Sequence, residues 1–181
     1  MRLIGLRHGQ SGYNVLGLCN DDPADPVALT ATGTEQALAA SDQLAGQAVD
    51  RLYCSPLLRT RQTAELVASR LGLGVIVDER LADIRSGFNG RPVAEYLAAI
   101  ADDPVNTRPV GGESLYDYAA RVGEFLDWVI LQPFPQVLLV VHEETLRVIH
   151  ARAGRLSLAQ VAGMPFANCQ PYFFQFDSEN L

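Results

Sequence analysis

The residues most able to do chemistry stand at the start of the chain, in Leu6-Arg7-His8-Gly9, where an apolar run ends on an arginine and a histidine before a glycine. A neutral imidazole can attack phosphorus through one ring nitrogen, while an adjacent guanidinium holds phosphate oxygens with its fork of donors and offsets charge in the transition state. Taken alone, the same tripeptide is compatible with a loop-capping role. Further candidates follow along the chain: Asn14, Arg59, a carboxylate at Asp83, and His142 followed directly by Glu143 and Glu144. His142 comes after the apolar run Val137 to Val141, so it is expected at the carboxyl end of a buried strand, the usual place for site residues in an open α/β sheet.

These residues need elements to position them. Arg2 to Leu6 reads as a buried strand, Gly9 to about Val27 as a polar loop, and Thr30 as the N-cap of a helix to about Gly46 with Ala37, Leu38, Leu44 and Ala45 on its apolar face. Arg51 to Cys54 reads as a strand. A helix to about Leu71 follows, with Ser55 as N-cap and Pro56 at its first position, which puts Arg59 in the first turn, where its charge and the helix dipole can act on one anion. Val75 to Val77 is a strand, Asp78 to Pro92 is mostly irregular, and Val93 to Ile100 is a helix. The spacing of Leu115, Tyr118, Val122, Phe125, Leu126 and Val129 predicts a long helix over Glu113 to Leu131, opened by the turn signal Gly112-Glu113-Ser114. Val137 to Val141 has the continuous apolar character of a strand buried on both faces. Glu143 to Ala153 reads as a helix, and Tyr172 to Phe176 closes the sheet. Alternating strands and helices predict an α/β three-layer sandwich: a mostly parallel central sheet with helices on both faces.

The order of four segments carries a resemblance. Leu6-Arg7-His8-Gly9-Gln10-Ser11 with Asn14, Leu29-Thr30-Ala31-Thr32-Gly33-Thr34-Glu35-Gln36-Ala37, Tyr53-Cys54-Ser55-Pro56-Leu57-Leu58-Arg59-Thr60-Arg61-Gln62-Thr63-Ala64, and Val140-Val141-His142 resemble, in sequence, the signature segments of the histidine phosphatase (phosphoglycerate mutase-like) superfamily. The small phosphatase branch is the nearest in character. The resemblance covers nearly the whole chain. It implies a phosphate pocket at the strand ends in which His8 is the nucleophile, Arg7 and Arg59 clamp the phosphate, His142 donates to phosphate oxygens and steadies a phosphohistidine, and Asn14 adds a contact. Gln62 or Thr63 would brace the Arg59 region, and His150 matches no motif.

Two positions depart from the family pattern. Where the family carries a proton-donating glutamate in an L-x-E-I segment, this chain has Leu81-Ala82-Asp83-Ile84, an acid one methylene shorter, in a stretch one residue shorter than usual. After His142 the chain has Glu143-Glu144. An ionised carboxylate about 4 Å from a phosphate charge is repelled by about 4 kcal/mol per unit charge at an effective dielectric of 20, so Glu143 must point away, pair with an arginine or be protonated. Glu143 also resembles the donor that the acid phosphatase branch places directly after its second histidine. Asp83 and Glu143 both remain candidates for the proton donor, and the helix dipole alone would account for an acidic pair at that helix start.

The expected function is metal-independent hydrolysis of a phosphomonoester, on a small phosphorylated metabolite or a phosphoprotein, with no cofactor. A phosphoglycerate-type mutase and a non-catalytic phosphate-binding module are the alternatives. The length of 181 residues suits a single domain over 1–181. A net charge of −7 without a basic run argues against nucleic acid and acidic membranes as partners. No segment approaches the roughly 20 apolar residues of a membrane span. The N-terminal apolar run is too short for a signal peptide, and Cys19, Cys54 and Cys169 have no metal or disulfide spacing, which together predict a cytoplasmic protein with free thiols. Neither the physiological substrate nor the oligomeric state is encoded in a recognisable motif.

Overall fold

The structure, a computed structural model, describes residues 1–176. Five strands, β1 (Arg2–Arg7), β2 (Arg51–Cys54), β3 (Val75–Val77), β4 (Gln136–Val141) and β5 (Pro171–Gln175), form one sheet in the order β3-β2-β4-β1-β5. The first four are mutually parallel and β5 runs antiparallel to β1. Between them lie α1 (Gly12–Leu16), α2 (Ala31–Leu44), α3 (Leu58–Leu71), α4 (Val93–Ala99), α5 (Leu115–Ile130), α6 (Glu143–Gly154) and α7 (Leu158–Val161). No helix among the described residues is long and apolar enough to cross a membrane.

The period-2 geometry of strands divides the apolar residues between two cores. Leu3, Val137, Leu139 and Val141 face one side, packed with Tyr118, Val122, Phe125 and Leu126 of α5 and Leu146 and Ile149 of α6. Ile4, Leu6, Leu138 and Val140 face the other, against Ala37, Ala40 and Leu44 of α2 and Ala64, Val67 and Ala68 of α3. Every residue of β4 is buried, which is why this central strand is apolar without alternation. The α/β sandwich with helices on both faces is as expected.

Three local expectations are corrected. The stretch from Gly9 to Val27 contains the short helix α1, opened by a capping box in which Ser11 Oγ accepts from Asn14 N and Asn14 Oδ1 accepts from Ser11 N. On α2 the buried face is Gly33, Ala37, Ala40, Ser41 and Leu44; Leu38 is exposed and Ala45 is the C-cap, so the apolar stripe is narrower than its composition suggested. α3 begins at Leu58 with Leu57 as N-cap, not at Pro56 with Ser55 as cap; the Ser55 hydroxyl accepts from Leu57 N and also meets His142 Nε2. Arg59 nonetheless lies in the first turn.

Sheet register brings the signature segments together. Arg7 of β1 pairs with Val141 of β4, and Cys54 of β2 pairs with Val140, so His8, His142 and Ser55 leave three adjacent strands at the same edge. Gly9 and Gly33 explain the spacing of two motifs: a Cβ on Gly9 would lie 2.3 Å from Gly33 O, and one on Gly33 would lie 2.1 Å from Gln10 O. The loop after β1 rests directly on the first turn of α2, and only glycine permits that approach.

Candidate active site

His8 is buried, and its ring is held on one side by its own loop. Nδ1 lies 2.7 Å from Gly9 O, an atom that can only accept, so Nδ1 carries the hydrogen and Nε2 presents its lone pair. Arg59 Nε donates to that Nε2 at 3.0 Å. Burial, reinforced by the charges of Arg59 and Arg7, holds the His8 pKa well below the usual imidazole range, so the ring is neutral at pH 7. The loop is fixed in turn by Gly9 N donating to Thr63 Oγ1 and by Asn168 Nδ2 donating to His8 O.

Arg59 spans the site from the first turn of α3. Its NH1 donates to Asn20 Oδ1, and its NH2 reaches Asn20 O at 2.9 Å and Asp83 Oδ2 at 2.7 Å. The buried guanidinium thus has its charge balanced by one carboxylate and its direction set by one asparagine.

His142 lies beside His8, ring centroids 5.4 Å apart. Its Nε2 meets Ser55 Oγ at 2.7 Å, and Leu57 N donates to the same hydroxyl oxygen, so the Ser55 O–H can donate to Nε2. The hydrogen then sits on Nδ1, which faces Asp83 Oδ2 at 3.2 Å and the Arg59 NH2. Burial first, then Arg59 and His8, lower the His142 pKa well below its ordinary value.

Asp83 reaches this cluster despite its shorter side chain. Burial pushes its carboxyl up to about 7, with Arg59 opposing and Glu144 adding to the rise. Its segment is pinned from α5: Arg121 donates to the carbonyls of Arg80, Ala82 and Asp83 and to Glu113 Oε1, while Glu113 also accepts from Arg85 N at 3.0 Å. Rigid carbonyl contacts of this kind set where a side chain points.

Of the three resolutions open to Glu143 at the strand end, the structure shows pairing with an arginine. Its Oε2 lies 3.1 Å from Arg7 NH1, and its Oε1 accepts from Phe166 N at 3.0 Å. Arg7 NH1 also donates to Phe166 O at 2.8 Å, whereas Arg7 Nε is buried without a hydrogen-bond partner. Glu144 pairs with Arg147 at 2.6 Å.

Arg7, His8, Asn14, Arg59, Asp83, His142 and Glu143 all line one cavity of about 180 Å³ at the carboxyl edge of the sheet. The structure therefore brings together every site residue expected from sequence. Asn14 is exposed at its rim, its carbonyl oxygen taken by Ser11 N, so only its NH2 can serve an anion. His150 stands apart on α6 against Phe166 and Phe174. Thr63 is the bracing residue on α3, while Gln62 accepts from Leu29 N. Four residues escaped sequence reasoning: Asn20, Ser55, Glu113 and Arg121. Ser55 lay within a quoted motif but read as a helix cap, Glu113 read as part of a turn signal, and Asn20 and Arg121 had no local signal.

A mostly parallel sheet with two imidazoles and two guanidiniums converging at the carboxyl edge of its parallel strands defines a class of α/β enzyme suited to holding a phosphoryl group. The chain belongs to the histidine phosphatase superfamily, branch 1, whose family model matches residues 3–181. It is similar to the adenosylcobalamin/alpha-ribazole phosphatase of Escherichia coli strain K12, 32% identical over 161 residues that cover 84% of this chain and 78% of the relative. It is also similar to phosphoserine phosphatase 1 of Hydrogenobacter thermophilus, 31% identical over 161 residues that cover 83% of this chain and 74% of the relative. The crystal structure of the alpha-ribazole phosphatase of Shigella flexneri matches with a TM-score of 0.88 at 26% identity, over 99% of this chain and 92% of that one.

Proposed function

We propose that the protein hydrolyses small phosphomonoesters through a phosphohistidine formed on His8, without a metal. The observation that carries this reading is the fixed tautomer of His8, whose neutral Nε2 faces a cavity where Arg59, Arg7 and His142 supply donors. Arg7 Nε, buried and unpartnered, marks a donor that an anion would satisfy.

In the first step the Nε2 lone pair attacks phosphorus in line, the bond to the leaving oxygen breaks, and that oxygen takes the proton of Asp83. The Arg59 Nε–H passes from His8 to a phosphate oxygen as the new P–N bond forms. His142 Nδ1–H and Arg7 hold the remaining oxygens while charge spreads over them. In the second step water attacks phosphorus, Asp83 takes its proton, the P–N bond breaks, and inorganic phosphate leaves. Asp83 is the better donor candidate because a carboxyl that titrates near 7 can give and retake a proton, whereas Glu143 is committed to Arg7 and Phe166. Glu143 acts here as the orienting partner of Arg7. We place the protein in the cytoplasm, a reading supported by three buried free cysteines.

The test is hydrolysis of p-nitrophenyl phosphate in EDTA, with acid-labile, alkali-stable labelling of the enzyme as a second readout. Wild type and His150→Ala are expected to turn over and to label, and His8→Ala to do neither. Tight phosphate binding without label would favour a non-catalytic binding module. Label that persists in His8→Ala would move the nucleophile elsewhere.

A further inference from the structure

A second cavity of about 210 Å³ adjoins the phosphate cavity and shares Ile84, Tyr96 and Glu144 with it. It is lined by Leu97 and Ile100 of the α4 region, by Leu115, and by Ala162 and Gly163 of the turn after α7. The volume is roughly that of seven water molecules, enough for one aromatic ring and a linking carbon. Helix α4 buries none of its own residues, and Leu97 is 55% exposed, so the helix holds apolar side chains toward this space instead of toward the core. An apolar surface kept in water beside a polar site is the usual form of a ligand subsite.

Charge narrows the occupant further. The cations lining the two cavities are Arg7, Arg59 and Arg147, and each is already paired: Arg7 with Glu143, Arg59 with Asp83, Arg147 with both Glu143 and Glu144. The first two face the phosphate. Arg147 is neutralised by its pair of glutamates and donates its Nε to Met164 O. A carboxylate or second phosphate on the leaving group would therefore meet Glu144 at the junction with no cation to receive it.

We propose that the second cavity is the leaving-group subsite, and that it takes an uncharged, apolar alcohol of aryl size while disfavouring substrates with a second anionic group. The inference rests on the phosphatase reading of the first cavity. Phosphate bound between Arg7 and Arg59 directs its ester oxygen past Asp83, and Ile84, Tyr96 and Glu144 line the way from there into the apolar space.

The experiment compares kcat/KM for benzyl phosphate, ethyl phosphate and 3-phosphoglycerate in the wild-type protein, in Leu97→Ala and in Ala101→Trp. Benzyl and ethyl alcohol are of similar acidity, so the ratio of their esters reads contact and not leaving-group chemistry. Benzyl phosphate is expected to be preferred over ethyl phosphate by about thirtyfold, from roughly half of the transfer free energy of its additional carbons. 3-Phosphoglycerate is expected at least about a hundredfold below benzyl phosphate. Leu97→Ala should reduce the benzyl-to-ethyl ratio by about fivefold, and Ala101→Trp should reduce it by narrowing the cavity. A wild-type ratio near one, a ratio unmoved in both variants, or efficient use of 3-phosphoglycerate would overturn the subsite while leaving phosphatase activity in place. Failure to hydrolyse any of the three esters, with no label on His8, would instead remove the reading on which the subsite depends.

Discussion

Replacing Asp83 by asparagine preserves the size of the side chain and leaves one acceptor oxygen, which can serve either Arg59 or Ile84 N, but removes the proton that a departing alkoxide needs. The wild-type carboxyl is pushed up to about 7 by burial, against the pull of Arg59, so about half of it is protonated at neutral pH. Above that pH the protonated fraction falls tenfold per unit. For ethyl phosphate, whose leaving group requires protonation, kcat/KM in the wild type should therefore fall tenfold per unit above about pH 7. Asp83→Asn should lose about a hundred- to ten-thousandfold in rate and the alkaline limb with it, in keeping with the usual contribution of a positioned general acid. For p-nitrophenyl phosphate, whose leaving group departs unprotonated, the loss should be under about tenfold. Stability supplies an independent check with a definite sign. The folded state binds this proton more tightly than the unfolded chain, so the contribution of Asp83 to stability is full at low pH and is lost as pH rises through about 7. Asp83→Asn has no such dependence, and its stability relative to wild type should rise by roughly 3 kcal/mol between pH 5 and pH 8 in urea titrations. Equal losses on both esters in Asp83→Asn, or a leaving-group-dependent loss in Glu143→Gln, would refute the assignment of the donor.

Arg59→Ala and Arg7→Ala should each weaken vanadate binding by ten- to a hundredfold, as expected for one charge-assisted contact, measured by inhibition in variants whose melting shows them folded. Arg59→Ala should in addition move the alkaline limb for ethyl phosphate to higher pH, because Arg59 opposes the rise in the Asp83 pKa, and a limb that stays in place would show that the two do not interact. Gly33→Ala, which sets a Cβ 2.1 Å from Gln10 O, should cost about 1–3 kcal/mol in urea unfolding and should weaken phosphate binding through the His8 loop; an unchanged midpoint would mean that this backbone contact is loose.

How much of this was legible beforehand can be judged residue by residue. β4 announced itself because a strand buried on both faces needs an unbroken apolar run, and His142 followed from its end. α5 was legible because its apolar residues recur at helical spacing after the turn signal Gly112-Glu113-Ser114, whose serine the structure shows as the N-cap. The motif residues His8, Arg7 and Arg59 were legible for a different reason, the resemblance of their ordered segments to the family signature, and Asp83 was legible as the acid that stands in that pattern where the family carries glutamate. α1 was not legible, because a five-residue helix buries nothing and leaves no periodicity, only a capping box inside a polar stretch.

Which partner each side chain would choose was decided only by tertiary structure. Ser55 could cap a helix or orient an imidazole, and the pairing of Cys54 with Val140 brought it within reach of His142. Glu143 could serve as an acid or pair with an arginine; Arg7 on the neighbouring strand and Phe166 in a distant turn committed it to pairing. Asn20, Glu113 and Arg121 became visible only once folding set Asn20 against Arg59, and Glu113 before α5 and Arg121 within it against the Asp83 segment. Caps and periodicity are written in neighbouring residues, so the sequence by itself determined the elements and the chemical types of the site. Register and close packing join residues as far apart as Asp83 and Arg59, Ser55 and His142, or His8 and Asn168, so hydrogen-bond partners, tautomers and shifted pKa values were determined by the fold.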